Sequence, residues 1–135
     1  MPERILVGID IQPIDEVEAA LSNFGVRYRH LLFTDHELES CGNNPATASE
    51  LAARFAAKEA VLKILDTRAT VPPWRSIEVK RTAGGRPEIM LHDNAADLAR
   101  LQGIHDLSVS LSHAGGIATA AVVAAVKYEP EESGQ

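Results

Sequence analysis

The chain has 135 residues, 45% hydrophobic and 24% charged, with a formal net charge of −6 and one cysteine, Cys41. That length suits a single domain with a real core, expected over residues 1–127, and one cysteine excludes an internal disulfide or a thiolate zinc cluster and suits the cytoplasm. No apolar run is long enough to span a bilayer and the start, MPERILVGID, lacks an export-signal pattern, so no membrane partner is expected.

Charge is uneven along the chain. Residues 1–53 carry 3 Lys/Arg against 9 Asp/Glu, residues 54–86 carry 8 against 3, and residues 87–135 carry 2 against 7. An acidic chain with a basic middle is a poor nucleic-acid binder but a fair binder of a compact polyphosphate. Solvated helix faces give the same pattern.

Arg4 to Ile11 reads as a strand, with Ile5, Val7, Ile9 and Ile11 on one face and Leu6, Gly8 and Asp10 on the other. Both faces are largely apolar, which predicts a central strand. Asp10 stands at its C-terminal end, where it either supplies chemistry or caps the amphipathic stretch Ile14 to Phe24. Gly25 stops that helix, and Val26 to Phe33 follows as a short segment bearing Arg27, Arg29 and His30. Thr34 with Glu37 three residues later forms a capping-box pattern, so Thr34 is read as structural.

After the turn-rich Cys41–Pro45, Thr47 or Ser49 is expected to cap a long central helix from about Ala48 to Leu65. Its stripe Leu51, Phe55, Glu59, Leu62 places a carboxylate among residues expected to face the core. A buried carboxylate costs several kcal/mol unless it gains a partner. Lys63 at i+4, a metal ion, or a proton held by a raised pKa could each serve.

Pro72-Pro73 bars helix in the loop from Asp66 to Trp74. Ile77 to Arg81 and Glu88 to Leu91 read as a hairpin around Gly84-Gly85, His92 to Gln102 as a helix ending at Gly103, and Leu107 to His113 as an alternating strand with three serines on one face. Ala114-Gly115-Gly116 turns the chain into an apolar return strand, Ile117 to Val126. Tyr128 to Gln135 is expected to be a disordered acidic tail.

The candidate chemistry is sparse. No HxH, HExxH or CxxC spacing supports zinc, and no P-loop, Rossmann or GxSxG motif is present. Two carboxylates, Asp10 and Glu59, with few histidines suit a hard cation such as Mg²⁺, completed by water and phosphate oxygens. His113, beside a double-glycine turn, could contact a phosphate, act as a base, or merely close the turn. These residue types fit phosphoryl-group transfer.

GIDI (Gly8–Ile11), FTDHEL (Phe33–Leu38), RFAAKEAVLKIL (Arg54–Leu65), GRP (Gly85–Pro87) and SLSHAGGIATAAVV (Ser110–Val123) resemble, in order and spacing, the holo-acyl-carrier-protein synthases. The resemblance covers nearly the whole chain except the tail. It implies an α+β, 4'-phosphopantetheinyl transferase fold, a long helix on a small, mainly antiparallel sheet, assembled as a homotrimer with sites between subunits. It implies transfer of the phosphopantetheine arm of coenzyme A to a serine of an apo-acyl carrier protein, releasing 3',5'-ADP. Asp10 and Glu59 match the Mg²⁺ ligands and Lys63 a phosphate-contacting lysine. Arg54 and His113 match coenzyme contacts, with Lys58, Gly85, Pro87 and Ser112 added.

Two departures stand out. Asp66-Thr67-Arg68 replaces a glycine-containing run, and the first helix carries Asp15, Glu16 and Glu18 where relatives are often basic. Arg27 and Arg29 are left as the expected carrier-docking cations. Two other readings remain: a non-catalytic trimer that binds coenzyme A or a carrier, supported by Asp66, and a small Mg²⁺-dependent phosphoester hydrolase.

Overall fold

The computed structural model describes residues 3–127 of the chain; the expected tail, 128–135, lies outside the described residues. The elements run β1 (Glu3–Pro13), α1 (Ile14–Phe24), α2 (Val26–Leu32), α3 (Asp35–Cys41), α4 (Thr47–Ile64), a single 3-10 turn (Trp74–Ser76), β2 (Ile77–Arg81), β3 (Pro87–Leu91), α5 (Asp93–Gln102), β4 (Ile104–Ala114) and β5 (Ile117–Lys127). The fold is α+β. A three-stranded antiparallel sheet runs β1-β5-β4, and β2-β3 form a separate antiparallel hairpin. Among the described residues no helix is long and apolar enough to cross a membrane.

Gly115 and Gly116 both take positive φ, 58° and 79°, which is what a two-residue hairpin between β4 and β5 demands. That tight turn makes β5 the central strand, so β1 lies at an edge of the sheet and not in its middle as its two apolar faces predicted. One face of β1 is open: Ile5, Val7, Ile9 and Ile11 are between 57% and 61% exposed. Sequence pattern reports that a face is apolar, not what covers it.

α4 lies across the other face of this sheet, against β1 and β5, with α1 packed beside it. Alanines at 52, 53, 56, 57 and 60 are buried and let the helix approach the strands closely. Phe55, Glu59 and Leu62, three of the four residues of the stripe expected to face the core, are only half-buried. An alanine-rich helix has several apolar stripes, and packing chose the one with the smallest side chains. Its cap is Ala46; Ser49 Oγ donates to the Ala46 carbonyl, and Thr47 Oγ1 donates to the Cys41 and Gly42 carbonyls, so neither caps the helix as expected.

The basic segment after Gly25 is a helix, α2. The capping box at α3 forms as the sequence predicted: Thr34 Oγ1 accepts from Glu37 N at 3.1 Å, and Thr34 N donates to Glu37 Oε1 at 2.9 Å.

Candidate active site

The approach of β1 to α4 is set by one missing side chain. A Cβ on Gly8 would lie 2.2 Å from the Ala60 carbonyl oxygen, a contact no real side chain tolerates. Gly8 therefore lets the strand touch the helix backbone. Asp10, two residues along the same face of β1, is carried toward Glu59, the neighbour of Ala60 on α4.

Lys63 joins them. Its Nζ lies 3.0 Å from Asp10 Oδ1 and donates to the Ile9 carbonyl at 2.7 Å. The lysine thus pairs across to the strand, not back along the helix to Glu59 as the i,i+4 spacing allowed. Glu59 is left half-buried with no ion pair among the described residues. Burial raises its pKa, the nearby Asp10 charge raises it further, and Lys63 only partly offsets both.

Asp10 and Glu59 offer hard oxygen donors, with no third carboxylate, histidine or cysteine grouped with them among the described residues. This donor set fits a hard divalent cation that takes its remaining ligands from water or substrate oxygens. It does not fit zinc.

The neighbouring stripe of α4 serves structure. Lys58 is fully buried, its Nζ 2.8 Å from Glu37 Oε1, and it donates to the Trp74 carbonyl at 3.1 Å and to the Ile77 carbonyl. Glu37 Oε2 accepts from Val79 N at 2.9 Å, so one buried ion pair ties α3, α4 and β2 together. Burial lowers the Lys58 pKa and the Glu37 carboxylate partly restores it. All three ammonium protons have protein acceptors, which leaves Lys58 nothing to offer the coenzyme contact expected of it. Beside this pair, Glu78 accepts from Thr34 Oγ1 at 2.5 Å and lies 2.9 Å from His92 Nε2. Burial raises the Glu78 pKa, but the Thr34 hydroxyl, His92 and Lys80 together outweigh it and hold the carboxyl below its usual range. The sequence reading missed this network: Glu37 was visible as a helix-capping residue, but nothing local marks its second carboxylate oxygen as a ligand for β2.

Arg54, one turn before Lys58, is also fully buried. Its Nη2 donates to Ser40 Oγ at 3.2 Å and its Nη1 lies 3.5 Å from Glu50 Oε2, while Nε has no partner. A dry guanidinium with long contacts and an orphaned N–H is under-satisfied. Cys41 nearby is inert, since burial pushes its thiol up to about 11 despite the adjacent Arg54.

Ser112 and His113 are exposed at the far end of β4. In register His113 opposes Ala118 on β5 while Asp10 opposes Ala120 from the other side, so β5 separates them. Within one chain the structure does not bring His113 to the carboxylates. Pro87 lies in an open groove of about 460 Å³ between β3 and β4, lined also by Arg81, Arg86, Ser108 and Ser110. Arg81 Nη1 donates to the Gly85 carbonyl at 2.8 Å, which shapes the turn. The two arginines were passed over because the residues flanking a glycine turn look like ordinary solvated charge. At the C-terminal end of α4, Asp66 is clamped by Arg68, with Nε at 2.9 Å and Nη2 at 2.6 Å, and the guanidinium holds the carboxyl at about 2. The acid that replaced the glycine run is thus neutralised by its own neighbour.

The family model described as "ACPS: 4'-phosphopantetheinyl transferase superfamily" matches residues 6–123. The chain belongs to this superfamily. It is 42% identical over 130 residues to the holo-[acyl-carrier-protein] synthase of Moorella thermoacetica, covering 94% of this chain and 97% of that one. It is similar to the crystal structure of the synthase from Neisseria meningitidis, with a TM-score of 0.76 at 28% identity over 87% of this chain and 95% of that one. It is similar also to the Helicobacter pylori synthase solved in complex with coenzyme A, with a TM-score of 0.74 at 27% identity over 88% and 99%. This transferase therefore carries its family's fold, and Asp10, Glu59 and Lys63 meet on it.

Proposed function

We propose that this transferase moves the 4'-phosphopantetheine arm of coenzyme A to a serine of an apo-acyl carrier protein, with Mg²⁺ held by Asp10 and Glu59. The observation that carries this reading is Glu59: a half-buried carboxylate beside a second carboxylate, Asp10, with which the adjacent Lys63 is paired. When bound, Mg²⁺ would neutralise the diphosphate of the coenzyme.

The chain's own groups do the rest. Lys63 can exchange Asp10 for a phosphate oxygen, since its ammonium is half exposed. The carrier serine attacks the β-phosphorus, its proton passing to Glu59 or to a water hydrogen-bonded to Glu59. The phosphoanhydride bond breaks and 3',5'-ADP departs. The arginine-lined groove beside Pro87 supports a coenzyme contact through Gly85 and Pro87, and the orphaned Arg54 Nε supports a phosphate contact at Arg54.

A homotrimer is supported by the exposed Ile5–Ile11 stripe, beside which Val123 of β5 is 40% exposed. It would let a second subunit's His113 and Ser112 reach the carboxylates that one chain holds apart. Carrier docking at Arg27 and Arg29 is supported by the exposed Val26 and Leu31 on the same helix and by Phe24 at the end of α1.

Incubation with coenzyme A, Mg²⁺ and apo-carrier tests the reading. Holo-carrier by intact mass together with 3',5'-ADP is expected. Binding without either product would establish the non-catalytic reading, and free phosphopantetheine without carrier modification would establish a hydrolase.

A further inference from the structure

Helix α4 ends without a stop signal of its own. Leu65 to Val71 contains no glycine or proline, so nothing local halts the helix before Pro72. Yet Leu65, directly after Ile64, leaves helical geometry at ψ 145°. The stop comes from α5. Gln102 Nε2 donates to the Ile64 carbonyl at 2.8 Å, and Gln102 Oε1 accepts from Asp66 N, also at 2.8 Å. One amide thus brackets Leu65. It satisfies a terminal carbonyl of α4, and it takes the Asp66 N–H that a continuing helix would direct to the Leu62 carbonyl. Gln102 is itself held in place by its neighbour. A Cβ on Gly103 would meet the Lys127 carbonyl oxygen at 2.8 Å, and Lys127 N donates to the Gly103 carbonyl at 3.0 Å, so the end of α5 is seated on the end of β5. Ala95 and Ala99 of α5 already pack with Ile64 and Leu65 in one apolar cluster. Adhesion between the helices therefore does not need the amide, but the stop does.

What the stop prevents concerns Lys63. Were α4 to run on by a turn, Asp66 would stand at i,i+3 from Lys63, within reach of its ammonium. Instead the Asp66 carboxylate accepts from Arg68 N, Nε and Nη2, and Lys63 pairs with Asp10. We propose that Gln102 is a positioning residue for the transfer: it ends α4 at Ile64, keeps Asp66 off Lys63, and so leaves the ammonium to Asp10 and to a phosphate oxygen of coenzyme A. This role rests on the function proposed above, in which Lys63 contacts that phosphate. Gln102 acts through Lys63 and touches no substrate itself.

The test is a double-mutant cycle of Gln102→Met and Asp66→Asn in the full chain, read by calorimetric titration with coenzyme A, by steady-state transfer and by backbone chemical shifts. Gln102→Met, close in length but without the amide, should weaken coenzyme A binding about threefold or more and raise its KM in step, with the carrier KM unchanged. The Cα shifts of residues 65–67 should move toward helical values. In the Asp66→Asn background no acid competes for Lys63, so Gln102→Met should change coenzyme A affinity by less than about twofold. Any effect of Asp66→Asn on Arg68 cancels in that ratio. Gln102→Ala serves the same cycle should Gln102→Met not fold. Equal weakening in both backgrounds would overturn the proposal and leave Gln102 a packing residue. Undiminished coenzyme A affinity in Gln102→Met would overturn it too, as would shifts that stay non-helical. A wild type that neither binds coenzyme A nor forms holo-carrier would overturn the proposed function and this role with it, whereas the cycle by itself overturns the role alone.

Discussion

Glu59 and Lys58 are adjacent on one helix, yet their environments assign them opposite work. Lys58 is sealed against Glu37, whereas Glu59 faces Asp10 with no cation of its own. Glu59→Ala relieves repulsion and desolvation, and Asp10→Ala does the same while losing the partly exposed Lys63 pair, so both should abolish transfer while the chain stays folded with its melting temperature little changed. Thermal unfolding beside a product assay checks both halves. Near-native turnover in Glu59→Ala would return that residue to helix packing. Glu78 offers a pH signature away from the site. Its folded pKa is depressed, so it stabilises the fold above its unfolded value near 4.5, and that contribution is lost as pH falls through the folded pKa. Urea midpoints measured from pH 6 to pH 3 should fall less steeply in Glu78→Gln than in the wild type.

At the scale of elements, the contact of β1 with α4 is what makes a site at all. Gly8→Ala forces a Cβ onto the Ala60 carbonyl, so the strand must move off the helix. Overpacking of this kind costs about 1–3 kcal/mol. The variant should lose more activity than its denaturant midpoint suggests, because Asp10 moves with the strand. α1 and α2 carry a different interaction. On the docking proposed above, Asp15, Glu16 and Glu18 on α1 would repel an acidic carrier and leave the cations of α2 to attract it. Exposed pairs contribute about 0.2–1 kcal/mol each, so Arg27→Ala/Arg29→Ala should raise the carrier KM about tenfold or less and leave the coenzyme A KM alone. Added salt should weaken the wild type more than the double variant. Normal carrier binding by the double variant would show that the exposed Phe24, Val26 and Leu31 carry the docking instead.

Across the whole molecule, one sheet face holds α4 and the other holds four exposed branched side chains in a row. A monomer leaves that stripe in water, at about 25 cal/mol per Å² of apolar area that association would bury. Light scattering should therefore report a trimer at micromolar concentration. Ile9→Lys, placed mid-stripe, should yield a monomer that binds coenzyme A weakly and transfers nothing, because His113 and the carboxylates are then never joined. A monomeric wild type with full activity would contradict the shared site.

The strands around Ile5 and Val122, the helices around Val17 and Ala57, the Thr34 capping box and the Gly115-Gly116 turn were all legible in the sequence, since each rests on periodicity or backbone sterics within a few residues. The candidate residues Asp10, Glu59 and Lys63 could be singled out in the sequence through their motifs, and the fold brings these three together. What the chain could not announce were the pairings between distant segments. Lys63 chose Asp10 over Glu59, and Lys58 chose Glu37. β1 took an edge because β4 and β5 close on each other through two glycines. α4 turned its alanines to the sheet because Gly8 admits nothing larger than a backbone there. Local sequence sets what each segment can form, but which stripe is buried and which charge finds which partner depends on close packing between segments far apart in the chain, and only the tertiary structure decided that.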